Sequence, residues 1–181
     1  MQIEKTNIHG AYLITPNFFK DSRGGFMETF NQKKFEEIHG EPISFLQDNQ
    51  SVSRQFVLRG LHFQIGEYAQ AKLVRVISGR AKDVIVDIRE DSPSFGAHFS
   101  VELSDDNRKI LFIPKGLAHG FLALEDNTIF AYKCDTYYNA EAEGGIIYND
   151  PDLAIDWGVP PDQIILSEKD CQLSSFKDLW V

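Results

Sequence analysis

The chain has 181 residues, of which 43% are hydrophobic and 25% charged, and its net charge is −9. That length suits one domain spanning residues 1–181 with enough chain for a real core, and the balance is that of an ordinary globular protein rather than a disordered one. An acidic chain with no basic run or Arg/Lys stripe is not expected to bind nucleic acid as its main activity, although a few convergent cations can still hold an anion.

The first residues, Met1-Gln2-Ile3-Glu4-Lys5, carry acid and amide groups and no apolar core, so no signal peptide is expected. No stretch approaches the ~18 apolar residues of a membrane span. Cys134 and Cys171 lie far apart and outside any C-x-x-C, which reads as two reduced, structural thiols in a cytoplasmic protein. Residues 31–38 predict one short helix with Asn31 as its cap. Residues 72–77, 82–88, 99–103 and 110–113 are short, β-branched and roughly alternating. Gly79, Pro93, Gly96 and Asp105-Asp106-Asn107 separate them. Short strands at near-regular spacing predict a mainly β sandwich or barrel. Past Asp150, Pro151, Pro160 and Pro161 predict an irregular tail packed by Trp157. A short turn is expected near residues 167–170, with Ser167 and Asp170 loosely fitting a capping box.

Two segments stand out for chemistry. Arg59-Gly60-Leu61-His62-Phe63-Gln64 and Pro114-Lys115-Gly116-Leu117-Ala118-His119-Gly120-Phe121 each set a histidine among apolar residues, and the first adds an arginine three residues earlier. A barrel mouth that gathers both histidines, Arg59 and Lys72 would hold a base and several cations, an arrangement suited to proton abstraction from an anion. A lone histidine in a strand reads equally as a hydrogen-bonded core residue.

The Pro114-x-Gly116-x-x-His119 pattern, read as a turn that His119 closes, resembles cupin barrels, the double-stranded β-helix jelly rolls. Metal-binding cupins place a second histidine two residues after the first, where this chain has Gln64, and Lys72 sits where an acid is expected. Too few ligands and a nearby cation point to a metal-free barrel.

The resemblance then narrows. Asp21-Ser22-Arg23-Gly24-Gly25-Phe26, Gln47-Asp48-Asn49-Gln50-Ser51, Val57 through Gln64, Ala69-Gln70-Ala71-Lys72-Leu73-Val74-Arg75-Val76 and Ile113 through Phe121 resemble the dTDP-4-dehydrorhamnose 3,5-epimerase family. So do Tyr132-Lys133, Glu143-Gly144-Gly145-Ile146 and Leu166-Ser167-Glu168-Lys169-Asp170. The likeness runs in order along nearly the whole chain, and the motifs are specific together though weak singly. It implies a cofactor-independent, metal-free cupin with a few short helices, working as a homodimer on a dTDP-4-keto-6-deoxy sugar in L-rhamnose biosynthesis.

By resemblance His62 is the base, Asp170 its partner, Lys72 the enolate-stabilising cation and Tyr132 the general acid. An imidazole near pKa ~6.5 and a phenol near ~10 suit those roles. The same likeness implies substrate contacts from Arg23, Phe26, Glu28, Gln47, Asn49, Arg59, Lys72, His119, Glu143 and Lys169, with Tyr138 stacking on thymine. The segment holding Arg23 and Glu28 is expected to serve a partner's site. Two departures, Phe56 and the proline-free loop at residues 65–68, leave open whether both C3 and C5 invert. A single-carbon epimerase, a 3,4-ketoisomerase, a non-catalytic nucleotide-sugar-binding cupin and a metal-dependent oxygenase remain as alternatives.

Overall fold

The computed structural model describes residues 2–180. Among them, thirteen strands form: β1 (Gln2–Lys5), β2 (Tyr12–Thr15), β3 (Phe18–Asp21), β4 (Gly24–Met27), β5 (Gln47–Ser53), β6 (Leu58–Gln64) and β7 (Lys72–Ser78) in the first half. They continue as β8 (Arg80–Asp87), β9 (His98–Ser104), β10 (Ile110–Ile113), β11 (Leu117–Ala123), β12 (Thr128–Cys134) and β13 (Glu143–Gly145). Two antiparallel sheets result, in the orders β1-β2-β10-β7-β12-β5 and β13-β6-β11-β8-β9, with β3 and β4 as a separate hairpin.

Period-two alternation decides which side chains fill the space between the sheets. Val74 and Val76 of β7, Leu111 and Ile113 of β10, Leu117 and Phe121 of β11, and Phe130 of β12 meet there in one cluster. The Phe121 and Phe130 rings stack at 3.9 Å across the two sheets. Burying each such side chain contributes roughly 1.5–3 kcal/mol. The opposite parity of β6, β8 and β11 faces outward, where Leu58, Leu61, Val84, Val86 and Leu122 are covered by Leu153, Ile155 and Trp157 of the tail. The tail is irregular, as expected, and Trp157 Nε1 donates to the Tyr148 carbonyl at 2.8 Å.

The helix α1 (Gln32–His39) forms where its cap predicts. Asn31 Oδ1 accepts from the Lys34 N–H at 3.2 Å, and Gly40, at φ 86°, ends it in the left-handed region. Phe35 anchors the helix against Phe112, Ile14 and Leu73 on the outer face of the larger sheet. The four strands anticipated at residues 72–77, 82–88, 99–103 and 110–113 correspond to β7 to β10. His119 corrects one expectation. It does not close a turn; the turn is at Gly116 (φ 78°), and His119 lies inside β11.

Candidate active site

Arg59 and His62 are three residues apart, so a regular strand would aim them at opposite faces. The β6–β11 ladder is irregular at this point: His62 pairs with His119, whereas Arg59 pairs with Phe121. The extra residue on β6 flips the parity. Leu58 and Leu61 both point to the outer core, and Arg59 and His62 both line the same cavity. Gly60 makes this possible. At φ 120°, a Cβ there would sit 2.6 Å from Gly120 Cα and 2.7 Å from the His119 carbonyl oxygen.

The cavity holds about 420 Å³ and is lined by Ser51, Arg59, His62, Lys72, His119, Tyr132, Lys169 and Asp170, with apolar walls from Phe121, Ile165 and Leu166. A second cleft of about 260 Å³ shares His62, Lys72 and Tyr132 and adds Gln47, Asn49, Gln64, Gln70, Tyr138 and Glu143. His62 comes from the smaller sheet, and Lys72 and Tyr132 from the larger one facing it.

His62 Nε2 lies 2.7 Å from Asp170 Oδ1, and the Asp170 side chain is only 5% exposed. Asp170 sits in a short 3-10 turn of the tail, where its N–H donates to Ser167 Oγ at 3.1 Å. With Nε2 committed to the carboxylate, Nδ1 is the ring nitrogen left to accept a proton. Across the cavity, burial pushes the Lys72 ammonium down from its ordinary value, opposed by Cys134, Asp83 and Glu143. Burial also raises the Cys134 thiol to about 11. The thiol is therefore uncharged at neutral pH, and the two carboxylates are what sustain the Lys72 charge. Burial likewise raises Tyr132, helped by Cys134 and opposed by Arg59, so its phenol stays protonated at neutral pH.

His119 has its own carboxylate, which the sequence reading missed. Its Nε2 lies 2.9 Å from Asp83 Oδ2, with Asp83 fully buried. Asp83 Oδ1 and Ser51 Oγ are buried without a hydrogen-bond partner among the described residues. Buried polar atoms are normally satisfied. Asp87, four residues on in the same strand, shows the contrast: its oxygens accept from Arg89, Ser92 and Ser94. The signal for Asp83 was present in the sequence, as an acid sharing the inward parity of Ile85 in a largely apolar strand.

Around the second cleft, Glu143 accepts from the Tyr138 hydroxyl at 2.6 Å and from Lys169 Nζ. Burial would raise the Glu143 carboxyl, but the bonds from Lys169 and Tyr138 outweigh it and hold it below the ordinary range. Gln47 Nε2 donates to Asn49 Oδ1 at 3.0 Å, and Arg59 Nε to Ser53 Oγ at 3.2 Å.

Three anticipated contacts are not gathered with these. Arg23 and Phe26 lie on the β3–β4 hairpin, exposed, with Arg23 paired to Asp21, and Glu28 pairs with Lys34 just beyond it. None of them lines either cleft. Phe56 and the loop at residues 65–68 also stay outside both clefts, and Phe56 packs against the outer core instead. Among the described residues, no group of three His, Cys, Asp or Glu converges as metal ligands.

The model of the family described as dTDP-4-dehydrorhamnose 3,5-epimerase matches residues 5–178. The chain belongs to that family. It is 51% identical to the dTDP-4-dehydrorhamnose 3,5-epimerase of Escherichia coli (strain K12), over 99% of this chain and 96% of that one. The dTDP-6-deoxy-D-glucose-3,5-epimerase of Legionella pneumophila Philadelphia 1, solved in complex with dTDP-4-keto-L-rhamnose, superposes with TM-score 0.94 at 45% identity, covering 98% of this chain and 94% of that one. A 3'-monoepimerase from Streptomyces bikiniensis, solved with dTDP-quinovose, gives TM-score 0.88 at 32% identity, covering 95% of this chain and 86% of that one. These neighbours carry the cupin-like β-barrel expected from the sequence.

Proposed function

We propose that this enzyme epimerises C3 and C5 of dTDP-4-keto-6-deoxy-D-glucose to give dTDP-4-keto-L-rhamnose, as its family membership implies. The observation that carries the reading is the pairing across the cavity. A base held by a buried carboxylate, His62–Asp170 at 2.7 Å, stands on one sheet, and Lys72 and Tyr132 stand on the other.

The chemistry follows from that placement. C3 and C5 flank the C4 ketone, which makes their protons removable but still weakly acidic. His62 Nδ1 takes the proton from one face of the sugar ring, and Asp170 stabilises the imidazolium that forms. The electrons move onto the C4 oxygen, where Lys72 meets the developing negative charge in a poorly hydrated site. Tyr132, on the opposite sheet, returns a proton to the other face of the carbanion. Each turn inverts one carbon; exchange with water then takes the proton from His62 and restores the one Tyr132 gave, so the composition of sugar and enzyme is unchanged. Arg59 and Lys169 supply cations for the diphosphate. Gln47, Asn49, His119 and Glu143 bind sugar and nucleotide, and Tyr138 stacks on the thymine.

We assign Arg23, Phe26 and Glu28 to the active site of a second subunit in a homodimer. The exposed rings of Phe18, Phe19 and Phe26 on the hairpin support that assignment. So do Val52 and Ile77, exposed on the larger sheet, and the exposed Leu46 just before β5. A charged nucleotide-sugar substrate assigns the enzyme to the cytoplasm, and among the described residues no helix is long and apolar enough to cross a membrane.

The likeness to a monoepimerase favours one alternative, inversion at a single carbon. Incubation of the sugar nucleotide in D2O, read by NMR, separates the two. Deuterium is expected at both C3 and C5, and incorporation at one carbon alone overturns the double inversion. The change His62→Ala is expected to abolish incorporation. An undiminished rate in that variant removes His62 as the base, and tight dTDP binding with no exchange in the unaltered protein indicates a binding module.

A further inference from the structure

Gln64 and Gln70 are two buried amides that neither the proton chemistry nor the substrate contacts above employ, at 7% and 9% exposure. Both line the cleft that holds Tyr138. Gln70 Nε2 donates to the Thr136 carbonyl at 2.8 Å, and Gln64 Oε1 accepts from the Asn139 N–H at 2.9 Å. Gln47 Oε1 accepts from the Tyr138 N–H at 3.0 Å. The β12–β5 ladder ends at Cys134 and Gln47, and beyond the Asp135 N–H, which donates to the Ala71 carbonyl at 3.2 Å, the loop residues 136–139 pair with no strand among the described residues. Side-chain amides fill that need, since exposed backbone polar groups seek partners wherever water is displaced.

The loop is therefore fixed at three backbone atoms within four residues. Its base is fixed as well, because the Ala71 N–H donates to Asp135 Oδ1 at 2.7 Å. The Tyr138 hydroxyl is held by Glu143, yet the residue remains 51% exposed. An aromatic ring is thus anchored at its backbone and its tip with its surface uncovered. Its anchors come from β5, β6 and the entry to β7, the strands that carry Asn49, His62 and Lys72.

We propose that Gln64 and Gln70, acting with Gln47, are positioning residues that hold Tyr138 as a preformed shelf for the nucleobase, and so set nucleotide affinity rather than the rate of proton transfer. This rests on the reading that Tyr138 stacks on thymine. Ordering the loop in advance spares the ligand that cost on binding.

The test is a mutant cycle on the full-length enzyme with Gln70→Leu, Gln64→Leu, Tyr138→Leu and the corresponding doubles. Calorimetry with dTDP gives Kd, the exchange reaction gives KM and kcat, and thermal melts check folding. Gln64→Met and Gln70→Met replace any leucine variant that does not fold. Each glutamine change is expected to raise Kd and KM about tenfold, within the loss of one stacked base, and to leave kcat within about twofold. In the Tyr138→Leu background the same changes are expected to add less than about twofold, because they act through that ring. Unchanged Kd in the glutamine variants, with Tyr138→Leu weakening dTDP binding, overturns the shelf. Fully additive effects also overturn it, since the amides would then touch the nucleotide themselves. If Tyr138→Leu leaves Kd unchanged, it is the stacking assignment that fails.

Discussion

At the scale of single residues, the site contains two histidine–carboxylate pairs that differ in two respects. Asp170 joins His62 from the tail, whereas Asp83 joins His119 from within a sheet and keeps one oxygen without a hydrogen-bond partner among the described residues. Burying a carboxylate oxygen unpaired is costly unless a nearby cation offsets it. Lys72 is that cation, since Asp83 is among the groups that oppose its discharge by burial. The sign of the pH effect follows. Lys72 works in its charged form, its pKa lies below the ordinary lysine value, and activity is lost as pH rises through it. Asp83→Asn removes a negative charge that favours the ammonium. The alkaline limb of the kcat profile is expected to move to lower pH, with kcat at neutral pH falling about tenfold or more, the scale of one charged buried hydrogen bond. An unchanged limb in a folded variant would show that Asp83 serves only the packing of His119.

At the scale of elements, the decisive feature is the irregular register of β6. It brings Arg59 and His62 to one face, and the contact of Gly60 with Gly120 makes it possible. Gly60→Ala is expected to cost about 3 kcal/mol in chemical denaturation, from the forced φ and the backbone collision together. It should also lower kcat as the histidine is displaced. A variant with unaltered midpoint and rate would show that the strand can yield there.

How much was legible in the sequence also sorts by element. The Asn31 cap, the alternation of β7 to β10 and the proline-rich tail are local signals, and each produced the structure it predicts. His119 was misplaced by a few residues because the turn signal of Pro114 and Gly116 was carried one step too far into β11. The face-switch in β6 has no period-two signature at all. Asp170 lies 108 residues from His62, and nothing local joins them. Only the family resemblance paired the two, and the fold brings them to hydrogen-bond distance. The Tyr138 loop anchors were invisible because a glutamine's partner is a backbone atom elsewhere in the chain.

At the scale of the whole molecule, the β3–β4 hairpin stands apart from both sheets and carries residues assigned to a neighbour's cleft. If two subunits share their sites, loss of function in one can be met by the other. Arg23→Ala and His62→Ala should each be nearly inactive alone. Co-refolding the two in equal amounts should restore a measurable fraction of the exchange rate, because some mixed dimers hold one site with both residues intact. No recovery on mixing, with dimers present by light scattering, would place Arg23 in its own subunit's site or outside catalysis.

The position of Asp170 has a consequence in time as well as in space. All thirteen strands precede it along the chain, and it is held by a short 3-10 turn rather than by a sheet. During synthesis the barrel can close around His62 while the residue that orients that histidine is still inside the ribosome. Until the tail docks, His62 is a base without the carboxylate that orients its ring and stabilises its imidazolium.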